Sequence, residues 1–141
     1  MSFERGSFDN ARDRFLRDRV LTATPAQRIV MIYDRLALDL TRAAASDDRV
    51  EAGAHLGHAL QIVAELQSSL DLGAGGPAAN LASLYSFLTT ELIAARGGEP
   101  ERLPGVLDIV GRLREAWAIV ADTATAQESR PAPVGSGSWV G

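Results

Sequence analysis

The chain has 141 residues, a formal net charge of −4, 46% hydrophobic residues and no Cys, and all 14 of its basic residues are Arg. That length suits one domain of common size with enough apolar material for a core. Without Cys there is no disulfide scaffold, thiolate zinc site or thiol catalysis; without Lys there is no P-loop lysine or Schiff base, and the acidic balance argues against a general nucleic-acid binder.

Between the two ends the periodicity is helical throughout, with no β-branched alternation. The first segment, residues 7–20, interleaves Arg12, Arg14, Arg17 and Arg19 with Asp9, Asp13 and Asp18 around a few apolar anchors, among them Phe8 and Phe15. Its charges nearly cancel, which reads as a solvated, self-paired face rather than a nucleic-acid arm. Such a piece is too polar for a core helix and suits a short helical cap laid across a bundle. Thr24-Pro25-Ala26-Gln27 predicts a helix start, with Thr24 as cap, Pro25 in the first turn and Gln27 reaching back. That helix runs to about Ala45. Asp48, with Glu51 three residues on, opens the next, which carries Leu56, Ala59, Leu60, Ile62, Val63, Leu66 and Leu70 and is expected to stop at Gly73. Pro77 opens a third, with Leu81, Leu84, Tyr85, Leu88 and Leu92, ending at Gly97-Gly98. Either Glu99-Pro100 or Leu103-Pro104 opens the fourth, with Val106, Ile109, Val110, Leu113, Trp117, Val120 and Ala124.

Four long amphipathic helices with short connections predict an all-α fold, an antiparallel up-down four-helix bundle with an additional short N-terminal cap segment. The expected divisions are a cap over residues 1–21, a bundle over 22–125 and a Pro/Gly/Ser-rich tail over 126–141, in which Trp139 reads as a chance aromatic. No run of about 18 apolar residues exists to span a membrane, and the amino terminus has no secretory h-region. Both point to the cytoplasm, with no membrane insertion.

At 100° per residue, Ile29, Ile32, Tyr33, Leu36, Ala37, Leu40 and Ala43 share one broad face of the first long helix, with the Tyr33 hydroxyl at its edge. Met31 and Leu38 fall opposite, stacked seven residues apart. Either these are ordinary single exposed apolar residues, or the amino-terminal segment buries them, or they form an interface for a partner helix. Phe87, Ile93, Leu107 and Ile119 are similar off-stripe residues on the last two helices.

Chemistry is scarce. His55 and His58 share a helix at i, i+3 and are the sole support for a metal-binding bundle. No second Glu-x-x-His joins Glu51 and Glu65 to complete a cage, so His55 reads as an edge-of-core histidine. The Gly73–Ala79 stretch superficially matches a phosphate loop, but it has no preceding strand and no Lys, and reads as a linker. No catalytic constellation emerges, and no cofactor is implied.

Thr22-Ala23-Thr24-Pro25 followed by Ile29-Val30-Met31-Ile32-Tyr33-Asp34 resembles the start of the second helix in the FliS family of flagellar secretion chaperones. The resemblance continues through Ala59–Leu66, Leu84–Leu88 and Leu92–Ala95, and through Leu113-Arg114-Glu115-Ala116-Trp117. It departs at Gln27-Arg28, in the lack of surface Lys and around Gly97–Pro104. It implies a cytoplasmic, non-enzymatic helical bundle that binds the carboxy-terminal segment of flagellin. Such a protein would keep its client unpolymerised and deliver it to the flagellar type III secretion apparatus. It further implies an amino-terminal segment displaced by the client, with Phe8 and Phe15 as anchors; Phe15 falls where the family often has Tyr. Under this resemblance the flagellin-binding residues are Met31, Leu38, Phe87, Ile93 and Ile119. A regulatory alternative, an adaptor for an anti-sigma factor or an export-gate component, fits the same resemblance.

Overall fold

The computed structural model describes residues 10–14, 22–71, 73 and 76–129. They form an all-α bundle with no strand among the described residues: α1 (Pro25–Ala45), α2 (Arg49–Ser68), α3 (Pro77–Arg96), a 3-10 turn (Pro100–Arg102) and α4 (Leu103–Ser129). Residues 10–14 are also helical. Packing divides the chain into two units: a larger one, Met31–Glu115, and a smaller one holding the described residues of Met1–Val30 and Ala116–Gly141.

The helix ends follow from local chemistry. At the start of α1 the Thr24 hydroxyl accepts from the Gln27 N–H at 3.2 Å, and the Gln27 side-chain oxygen accepts from the Thr24 N–H at 2.9 Å. Two donors that no helical carbonyl can reach are thus satisfied reciprocally, as the spacing predicts. Asp48 caps α2 by accepting from the Val50 N–H at 2.9 Å. Glu51 does not reach back to Asp48; its carboxylate takes the Ser46 hydroxyl at 3.3 Å, and Ser46 also holds the Asp48 N–H and carbonyl.

The expected stop of α2 at Gly73 is corrected to Ser68. The Ser68 and Ser69 hydroxyls donate to the carbonyls of Glu65 and Leu66 at 2.9 and 2.8 Å. Serine hydroxyls that compete for terminal carbonyls favour a helix end there. α3 begins at Pro77 and ends at Arg96, with Gly97 as its C-cap. The next residue, Gly98, has φ +119°, a conformation other residues adopt only under strain. The open choice for the last helix resolves into both alternatives in series: Pro100 opens the 3-10 turn, and Leu103-Pro104 opens α4.

Within the larger unit, the cross-links set the direction of each helix. Asp39, near the end of α1, meets His58 in the first half of α2, so these two run antiparallel. Arg49 at the start of α2 reaches the Gly97 carbonyl at the end of α3, so these two are antiparallel as well. Asp34 on α1 pairs with Arg114 on α4 at 2.6 Å, which joins the first helix to the last. The order is up-down-up-down, as short connections require.

The core of this unit is built from Tyr33, Leu36, Leu40 and Ala43; Leu56, Ala59, Ile62, Val63 and Leu66; Tyr85, Leu88, Leu92 and Ala95; and Leu103, Val106 and Val110. The buried stripe of α1 is narrower than its apolar sequence face. Ile29 and Ala37 are half-buried and Ile32 is exposed, while Asp39 on the same flank is buried. In the smaller unit Ala23 and Ala121 are buried and Val120 is exposed. Gln27 donates to the Thr125 hydroxyl there at 3.2 Å.

Candidate partner-binding faces

An interior so well supplied with hydrophobic side chains leaves others outside. On α1, Leu38 is 42% exposed and Met31 is half-buried. Their seven-residue separation stacks them on the side turned away from Tyr33, Leu36 and Leu40. On α3, Phe87 is 48% exposed and Ile93 58%. Six residues correspond to a rotation of about 120° on a helix, so these two occupy different flanks rather than one stripe. Ile119 is exposed on the part of α4 that belongs to the smaller unit. Leu107 is half-buried. Phe8 and Phe15 lie outside the described residues. Ile32, Val50 and Val120 are exposed as well. Sequence reasoning placed Ile32 and Val120 on core stripes and passed over Val50, which follows the first residue of α2.

The polar groups inside the larger unit are all engaged, and no buried side-chain nitrogen or oxygen among the described residues is without a partner. The Tyr33 and Tyr85 hydroxyls meet at 2.5 Å across α1 and α3, with both residues essentially buried. The Tyr33 hydroxyl is therefore in the interior, not at an edge. Burial pushes the Tyr85 phenol above its ordinary value, and the hydrogen bond from Tyr33 opposes part of that rise.

The second polar group was missed from sequence. Asp39 is 4% exposed and accepts at Oδ2 from His58 Nδ1, while His55 Nδ1 stands 4.0 Å from its Oδ1. His55 is also 3.9 Å from Glu51. The two histidines thus share one buried carboxylate on α1. A signal was available: Asp39 sits three residues after Leu36 and four before Ala43, inside the apolar spacing, and the next helix offers two imidazoles at i, i+3. No group of three or more His, Cys, Asp or Glu side chains among the described residues is arranged to hold a metal ion.

No helix among the described residues is long and apolar enough to cross a membrane. Fold and surface together define an all-α bundle that presents apolar side chains on outward faces of its helices. The family model described as "Flagellar protein FliS" matches residues 8–124. This chain belongs to that family. It is also 36% identical over 67 residues to the "Flagellar secretion chaperone FliS" of Vibrio cholerae serotype O1. That match takes in 46% of this chain and 49% of the relative, so the chain spans about half the length of the curated relative it matches.

Proposed function

We propose that this protein is a cytoplasmic export chaperone that binds the carboxy-terminal segment of flagellin, prevents its premature polymerisation and hands it to the flagellar type III secretion apparatus. Membership of the FliS family over residues 8–124 carries the proposal. The exposed hydrophobes support it physically. A client that is disordered when free must be ordered on binding, and the free energy for that comes from apolar area. Leu38, Phe87, Ile93 and Ile119 offer such area without disturbing the core. The work is equilibrium binding, with no covalent step.

Under this proposal Met31 and Leu38 form the central contact on α1, with the 1–21 segment as a cap that Phe8 and Phe15 anchor until the client displaces it. The bundle over 22–125 is the binding body. The test is co-expression with the flagellin carboxy-terminal segment followed by size exclusion. Wild-type protein co-elutes at micromolar concentration. A Met31→Asp, Leu38→Asp double variant loses the complex and keeps the helical melting transition of the parent. Unchanged co-elution of that variant rejects the α1 face. Absence of a wild-type complex rejects flagellin as client and directs attention to an anti-sigma factor or export-gate component.

A further inference from the structure

One end of the larger unit contains a cleft of about 660 Å³ where the last turn of α1, the start of α2, the end of α3 and the start of α4 converge. Its apolar lining is the end of the core: Leu56 and Leu103 reach it and are otherwise buried. Arg49 and Arg96 also line it. Neither guanidinium has a carboxylate within ion-pair distance among the described residues, whereas Arg102, Arg112 and Arg114 all do. The one bond Arg49 makes is a long one, 3.5 Å, to the Gly97 carbonyl.

Arg96 is held in a particular way. A Cβ placed on Gly57 would lie 3.3 Å from Nη1, 3.4 Å from Cζ and 3.4 Å from Nη2 of Arg96. Three guanidinium atoms at one distance mean that the flat face of the group lies against α2 at Gly57. One turn earlier, at Gly53, the nearest Arg96 atom is Nε at 3.9 Å. The face therefore rests on bare backbone and the N–H edge stays open, with donors set in the fork geometry that matches a carboxylate.

We propose that this cleft binds a carboxylate carried by a peptide of a partner protein, with the neighbouring apolar side chain of that peptide on the Leu56–Leu103 floor. Charge and shape select the occupant. Two cations without acidic partners attract an anion, and the apolar floor favours a peptide over a bare inorganic ion. Asp47 also lines the cleft and is the one negative group there, so it limits affinity rather than supplying it. The site lies apart from the Met31–Leu38 stripe and does not depend on which client the chaperone carries.

The glycines provide the readout. In a ¹⁵N–¹H correlation spectrum of the full chain, the amides of Gly53, Gly57, Gly97 and Gly98 are the probes. Three N-acetylated hexaleucine-based peptides are titrated: one with a free carboxyl end, one amidated with a central Glu, and one amidated without Glu. Inorganic phosphate is titrated separately. The expected result is saturable movement of these glycines with at least one acidic peptide and none with the neutral one. A free-acid response alone assigns a chain end, and a Glu response alone assigns an acidic side chain. Removing both charges with Arg49→Gln and Arg96→Gln weakens binding by about tenfold or more, the scale of a lost charge-assisted contact. Gly57→Ala keeps every charge and moves the Arg96 guanidinium by only a few tenths of an ångström, so it weakens binding less than the double variant does. Asp47→Asn strengthens it. Equal response to the neutral peptide, saturation by phosphate as tight as by the acidic peptides, or unchanged affinity in the double variant overturns the proposal.

Discussion

The hydroxyl pair between α1 and α3 makes a quantitative prediction about stability. Tyr33→Phe removes one oxygen from a 2.5 Å contact while keeping the ring and its packing. The hydrogen bond itself is worth about 1 kcal/mol net. The larger effect is on the group left behind, because Tyr85 is 2% exposed and its hydroxyl loses the partner that takes the place of water. A buried hydroxyl deprived of its partner costs about 1–3 kcal/mol. For a chain of this size the melting midpoint falls by about 4 °C per kcal/mol, so Tyr33→Phe melts about 4–12 °C lower. The double variant Tyr33→Phe, Tyr85→Phe removes the stranded Tyr85 hydroxyl and recovers part of the loss. Denaturant titrations of the four proteins, followed by circular dichroism, form a double-mutant cycle with an expected coupling of about 1–2 kcal/mol. Additive single losses, or a Tyr33→Phe cost below about 0.5 kcal/mol, refute the assignment of this pair as a buried, mutually dependent contact.

Two further outcomes follow from the same interior. Burial raises the Tyr85 phenol above its ordinary 10.0, so the folded protein keeps this proton where the unfolded chain releases it. Stability from Tyr85 is therefore intact below pH 10 and declines as the pH rises through the folded value, and urea midpoints measured across that range decline less in Tyr85→Phe than in the parent. Asp39→Ala takes the shared carboxylate from His55 and His58 and costs about 1–3 kcal/mol in denaturant titration, below the figure for a fully buried pair because both imidazoles are partly solvated. Asp39→Asn, which keeps an acceptor and the shape, costs less.

The helix boundaries that were legible in the amino-acid order are those with a specific local mechanism. Thr24 with Gln27, Pro77 at a first turn and Gly97-Gly98 at a helix end each name a residue type that only one backbone environment favours, and each stands where it was expected. The end of α2 was less readable because Ser68 and Ser69 stop a helix weakly, by competition, whereas Gly73 is a strong signal that happens to fall later in the loop. At the far end of α4, Ala121 is buried and Val120 is not. Rotation by 100° per residue from Val110 puts position 121 on the core line and 120 well off it, but a methyl group gives a fainter apolar signal than a valine. Asp39 was hidden for a related reason. Hydrophobic periodicity counts a carboxylate against burial, and its burial depends on two histidines on another helix that no single-helix pattern includes. The exposed residues Leu38, Phe87, Ile93 and Ile119 were legible as surplus, since one helix can bury only one stripe. The spacing carries no information about a partner.

Under the proposed function outward apolar faces are covered and uncovered, which requires an interior that does not rearrange when that happens. Apolar packing alone permits sliding, because leucine and alanine stripes remain apolar after one helical turn. The polar pairs do not permit it. A shift of α1 by one turn, about 5.4 Å, would carry the Tyr33 hydroxyl away from that of Tyr85 and Asp39 away from His58 at the same time. It would leave at least two buried polar groups without partners. One link ties α1 to α3 and the other ties α1 to α2, so the helix that carries Met31 and Leu38 is registered against both neighbours by contacts that tolerate no slip. The surplus hydrophobes of α1 are thereby held on a rigid element. Their exposure in the absence of a partner does not offer the chain a competing core.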